Sequence, residues 1–399
     1  MTEHAERLAS GRLGLAFASM LLVSGLANTF PVFFPALLAE FGGSRAATAS
    51  AVTLLWIGGA VLGPVGGWLV ARRSPRLVVS LGLAAVAAGL ALGTLAPSLR
   101  VFTLAVGLGS GVGVGLTGMA VQAALVADAY VRRRGVAMGI AFSGSMAGYV
   151  VAPPVQWAIS QVGWRGALAG YVVALLVLVP LAWRVLPPRL RSAAARASGG
   201  AAPEDPTLRG IVRSLPFWIL VVLFATPPLL GYLATTQHAL YLTARGFSAG
   251  EASWLLGLGG LLAAGGRVAF GLMADRVGAP IAGFVSFGST LAGLGFLLAM
   301  EAWPARLLVW GYVLFLFLPM GSRATIVSVL VSRIASPAHY GVVFGLIGVG
   351  NSLGAAAGPL LSGAIYDWTG SYLVIYLCAT GVLLVGLAAL AVFCFLTRG

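Results

Sequence analysis

GVAMGIAFSGSMAGYVVAPPVQWAI, residues 135–159, and GVVFGLIGVGNSLGAAAGPLLSGAI, residues 341–365, decide how this chain reads. Laid side by side without a gap, Gly135, Val136, Gly139, Gly144, Gly148, Pro153, Ala158 and Ile159 match Gly341, Val342, Gly345, Gly350, Gly354, Pro359, Ala364 and Ile365. A weaker echo relates GWLVARRSPR, residues 67–76, to GLMADRVGAP, residues 271–280, at nearly the same offset. The chain therefore carries one apolar pattern twice. Parallel repeats of this kind in an apolar chain point to a carrier whose substrate site lies between the halves near the membrane midplane. The alternative is a pair of helices that merely pack alike.

The rest of the composition agrees with a membrane protein. Of 399 residues, 59% are hydrophobic and only 9% charged, with a mean hydropathy of +0.99. A soluble domain carries about 25% charged residues. Apolar windows long enough to cross a bilayer fall near 13–38, 47–70, 77–96, 101–126, 135–161, 166–187, 216–243, 250–273, 280–300, 306–332, 341–365 and 372–396. The expected fold is all-α and polytopic: twelve transmembrane helices in two six-helix bundles, residues 1–187 and 216–399. A Pro-, Ala-, Gly-, Ser- and Arg-rich linker at 188–215 joins them.

The formal charge of +14 does not indicate nucleic acid, because the arginines are spread over short loops rather than gathered on one face. All 24 basic residues are arginine, which reads as coding bias. Most lie in one set of loops, and only Arg45, Arg100, Arg165, Arg245 and Arg306 fall in the other. The positive-inside rule then places both termini in the cytoplasm. A bacterial inner (plasma) membrane is the expected location. The N-terminal apolar run is too long for a cleavable signal and reads as a retained helix. Cys378 and Cys394 imply neither a disulfide framework nor a metal site. No phosphate loop, GxSxG or metal-ligand cluster is present, so neither an enzyme nor a cofactor is expected.

Two arginines lie inside apolar stretches with no carboxylate at similar depth: Arg267 in WLLGLGGLLAAGGRVAFGLMA and Arg323 in LLVWGYVLFLFLPMGSRATIVSVLV. An intramembrane charge is costly and usually lines a bundle interior or aqueous cavity. A guanidinium there can hold a carboxylate bidentately and cannot lose its charge. The competing reading for both is a snorkelling or packing arginine bonded to backbone carbonyls.

The motifs resemble the major facilitator superfamily over essentially the whole chain. Gly271-Leu-Met-Ala-Asp275-Arg276-Val-Gly278 is similar to its signature loop, in which the acid and the base act in gating. The N-terminal copy keeps Arg72 but has Ala71 where the acid stands. Within the superfamily the chain resembles the monocarboxylate transporters and the oxalate/formate antiporters. Tyr130-Val-Arg-Arg-Arg-Gly-Val-Ala-Met-Gly139 is similar to the fifth-helix motif, Gly163-Trp164-Arg165 to the turn after it, and Ile365-Tyr366-Asp367-Trp-Thr-Gly370-Ser-Tyr372 to the run into the last helix. Gly266-Arg267 resembles the eighth-helix segment whose arginine grips the carboxylate. The chain departs from the pattern at Ala263, where proton-coupled members carry an acid. It departs again at Asn28 and Asn351, where relatives carry lysine.

The resemblance implies a secondary carrier for small organic anions such as lactate or pyruvate, working by alternating access, with proton coupling as one option. A dicarboxylate exchanger with Arg323 as second anchor is the alternative, ahead of a drug/proton antiporter or a transporter-like sensor. Arg267 is the expected anchor. Asn28, Asn351, Ser145, Tyr149 and Gln122 are candidate cavity residues, although intramembrane amides commonly just bond across helices. His238, the one histidine inside a span, is the candidate for substrate contact or proton coupling. Pro227-Pro228 is expected to break the seventh helix. The expected partners are the anion, protons in the symport case, and the lipid bilayer; no obligate protein partner is indicated.

Overall fold

The computed structural model describes residues 3–130, 134–190, 206–303, 305–335 and 340–397. The described residues are helical throughout, with turns and no strand. Ten helices are long and apolar enough to cross a membrane: α1 (Ser10–Phe41), α2 (Arg45–Arg72), α3 (Pro75–Thr94), α4 (Leu99–Val126), α6 (Ala152–Val185), α7 (Leu215–Ala244), α8 (Ala249–Val277), α9 (Ala279–Ala302), α12 (Val342–Thr369) and α13 (Tyr372–Leu396). Shorter helices are α5 (Arg134–Val150), α10 (Leu308–Phe317) and α11 (Arg323–Val331), and an eight-residue helix at Pro206–Arg213 precedes α7.

Four of the expected spans, the fourth, fifth, seventh and tenth, are interrupted. The fifth runs through α5 and the first arm of α6, past a single turn residue at Val151. Pro153 and Pro154 have no N–H for the carbonyls four residues back, which loosens the helix there. The chain then turns within α6 at Gly163, whose φ of 72° suits only glycine. The tenth span divides into α10 and α11 around residues 318–322. The seventh behaves differently from expectation. Its helix runs unbroken through Pro227-Pro228 and is interrupted only at Thr236 and Gln237. The two carbonyls that the prolines release are those of Leu223 and Phe224. Thr226 Oγ1 donates to the first at 3.2 Å and Asn351 Nδ2 to the second at 3.3 Å. Side-chain donors of this kind are what allow proline within a membrane helix.

The helices gather into two units. One comprises Met1–Gly43 and Ser50–Ala201, the other Ser44–Ala49 and Ala202–Gly399. Of the expected linker, residues 191–205 lie outside the described residues. Outward-facing positions are apolar, including Leu104, Val177, Trp254 and Leu384. A surface of this kind suits a solvent of lipid chains.

The repeat has a packing cause. A Cβ placed on Gly148 of α5 would lie 2.3 Å from the carbonyl oxygen of Gly25 on α1. A Cβ on Gly354 of α12 would lie 2.1 Å from that of Ala225 on α7. Both contacts bring backbone against backbone, which only small residues permit. Each unit adds an amide strap at this contact. Asn28 of α1 donates to Ser145 O at 2.8 Å, and Asn351 of α12 donates to Phe224 O.

Candidate functional site

The turn between α10 and α11 organises the second unit. Pro319 cannot donate to Phe315 O, and Ser289 Oγ of α9 donates to it instead at 3.1 Å. The turn closes tightly, with Met320 N bonded to Phe317 O and Ser322 N to Pro319 O. It presses on α8: a Cβ on Gly266 would lie 1.7 Å from Leu318 O, and one on Gly321 would lie 2.4 Å from Ala263 O. The carbonyl of Gly321 then receives Nε of Arg267 at 3.1 Å.

That single bond orients the Arg267 guanidinium. The residue is only partly buried. Among the described residues no carboxylate lies within ion-pair distance of it, and its two terminal amino groups have no hydrogen-bond acceptor. The fork is thus held at its base with its outer donors available. Ala263, one helical turn away, is fully buried against the turn, so this neighbour supplies no acid.

Arg323 stands on the other side of the same turn, as the first residue of α11, and is enclosed with 4% of its surface exposed. It donates through Nη2 to Thr290 Oγ1 of α9, and its guanidinium lies 4.7 Å from the centroid of the Phe287 ring. Its Nε has no acceptor among the described residues.

His238 is buried within the second unit, with Nδ1 2.7 Å from Tyr312 Oη and Nε2 2.9 Å from Ala252 O. A carbonyl only accepts, so Nε2 carries the hydrogen. In the neutral ring Nδ1 then accepts from the tyrosine.

The other expected residues spread over both units. Asn28 and Ser145 meet through the strap described above. Tyr149 is buried in α5. Gln122 donates to Thr117 O at 2.9 Å, bridging the interruption of α4 at Gly118. Asp275 and Arg276 are exposed at the end of α8, and no described residue pairs with Asp275. Arg72 is exposed, with its guanidinium 4.9 Å from the Trp68 ring centroid.

Sequence reasoning left one second-unit cluster out. Asp367 accepts from the backbone N–H groups of Arg45 and Ala46, both at 2.8 Å, and so caps the start of α2. The Arg45 guanidinium lies 3.4 Å from the Tyr366 ring centroid and donates to Gln237 Oε1 and Tyr372 Oη, each at 2.5 Å. The signal was present in the Tyr366-Asp367 motif, but Arg45 read as an ordinary loop arginine. In the first unit the Gly163-Trp164-Arg165 turn has a comparable structural use. Arg165 pairs with Glu40 and donates to Thr94 O and Ala96 O.

Bundle units with glycine-packed repeats, a broken helix and a partly buried arginine fork define a multi-pass membrane carrier. A family profile described as Major Facilitator Superfamily matches residues 15–325, and the chain belongs to that superfamily. Its curated relatives include monocarboxylate transporter 13 of Rattus norvegicus, 30% identical over 93% of this chain and 85% of the relative. Monocarboxylate transporter 11 of Homo sapiens is 28% identical over 93% of this chain and 80% of its own length. Among solved structures the nucleoside transporter NupG superposes with a TM-score of 0.75 over 97% of this chain and 99% of that one. At 14% identity, that likeness concerns the fold alone. The relatives and structural neighbours are transporters, and the chain is not an enzyme.

Proposed function

We propose that the chain carries small monocarboxylates such as lactate or pyruvate across a bacterial inner membrane. The proposed topology has twelve spans, counting the divided tenth as one, with both termini in the cytoplasm. The observation that carries this reading is the Arg267 fork, oriented by Gly321 O and unpaired among the described residues. A guanidinium so placed binds a carboxylate through two parallel charge-assisted hydrogen bonds. The names of the curated relatives support the same substrate class. Transport follows by alternating exposure of this site to the two sides of the membrane, with Asp275, Arg276 and Arg72 as gating residues.

Asn28, Asn351, Gln122 and His238 act mainly as braces in this reading, because each already bonds a backbone carbonyl. Coupling through His238 would require Nδ1 to take a proton and Tyr312 Oη to turn into an acceptor. The deciding test is uptake of labelled lactate, pyruvate, oxalate and formate into proteoliposomes. Lactate or pyruvate should enter in the wild type and much more slowly in Arg267→Ala. Oxalate-for-formate exchange without net lactate uptake would move the reading to an exchanger. Transport of a cationic dye with none of the acids moved would end it.

A further inference from the structure

We propose that a small inorganic anion, chloride under cellular conditions, binds inside the second unit at Arg323. The guanidinium is a permanent cation enclosed on all sides. Its known contacts are a hydroxyl, Thr290 Oγ1, and an aromatic face, Phe287. Neither neutralises it, and no described carboxylate lies within ion-pair distance. Arg323 also opens α11, so the positive end of that helix adds to the same local charge. A buried charge without a counter-charge is strongly unfavourable.

The geometry provides room for a counter-ion. Arg323 lines a cavity of about 10 Å³ together with Leu223, Phe287, Ile326, Val327 and Leu390. That is about the space of one water molecule. Its Nε has no acceptor among the described residues, so one directed N–H remains for whatever sits beside it. A water would satisfy that N–H but leave the charge uncompensated. A halide does both, and is little enough larger than water for the surrounding apolar side chains to yield. An organic acid does not fit in this volume. In this conformation Arg323 is therefore a site for a monatomic anion rather than a second anchor for a dicarboxylate.

The test is thermal melting of the purified protein in sodium chloride against sodium gluconate at matched ionic strength. In the wild type the midpoint should rise by several degrees and saturate as chloride is titrated in. Arg267→Ala should keep this response, which separates the site from the proposed substrate anchor, and Arg323→Met should lose it. A wild-type midpoint indifferent to chloride overturns the proposal. So does a response that survives in Arg323→Met or disappears in Arg267→Ala. Should Arg323→Met not fold, wild-type crystals grown in bromide decide. An anomalous peak within hydrogen-bonding reach of Nε is expected, and its absence overturns the proposal.

Discussion

Each unit contains a cavity of about 10 Å³, and the two differ in kind. The one in the first unit is lined wholly by apolar side chains, among them Leu26, Phe30, Phe33, Leu55, Phe102 and Leu168. Such a void stays dry and is a packing remainder. The one in the second unit has Arg323 in its wall. The repeat thus preserved the glycine contacts that hold helices together, while intramembrane arginine entered one copy only. Packing is a symmetric requirement, since both copies must bury the same helix faces. Recognition of an anion is not, because one well-placed cation suffices.

The sharpest way to break this contrast is to remove the two intramembrane arginines separately. Arg267→Ala should lower lactate or pyruvate uptake about tenfold to a hundredfold, the loss of hydrogen bonds to a charged group worth ~1.5–3 kcal/mol. Arg323→Met, where folded, should leave uptake within a fewfold of wild type. Equal losses in both variants would mean that the turn works as one site.

The glycine contacts offer the next largest effect, and it should be alike in the two units. Gly148→Ala and Gly354→Ala each push a methyl into a backbone carbonyl. Each should destabilise by about 1–3 kcal/mol, read as a lowered melting midpoint. Gly139→Ala and Gly345→Ala meet no atom within 4 Å and should be neutral or stabilising by up to about 1 kcal/mol. A large drop for Gly148 alone would show that the repeat is sequence similarity without equivalent packing.

His238→Gln should cost about 1–3 kcal/mol by breaking the buried bonds to Tyr312 Oη and Ala252 O. It should not change the response of uptake to an imposed pH gradient. Loss of that response with the fold intact would make His238 the coupling group. The smallest loss of stability expected is from Asp367→Ala, which removes the cap on α2 and should cost about 1 kcal/mol.

The helices and the repeat were legible because apolar length and small-residue spacing are properties of the chain itself. Arg267 was legible for the same reason: an ionised group in an apolar run stands out without any knowledge of its neighbours. The partners were not. Nothing in the spacing of Pro227, Pro228 and Asn351 shows that the amide of one helix repairs a carbonyl freed on another. The expected break at the prolines was therefore misplaced to the wrong turn. Likewise Arg45 looks like any loop arginine until Asp367, Gln237 and Tyr372 converge on it.

By itself the sequence determined that this is a helical membrane protein built from a repeat, with two cations at a depth where lipid makes them expensive. Those conclusions follow from one-dimensional quantities: hydropathy, period and charge. The family resemblance ranked the two cations, and the tertiary structure gave the difference between them a physical form. Arg267 is oriented through one nitrogen with its outer donors free, whereas Arg323 is walled in beside a cavity fit for a single small ion. That difference depends on which way α10 and α11 turn around Gly321 and on what α9 brings against them. Both depend on contacts between residues far apart in the chain.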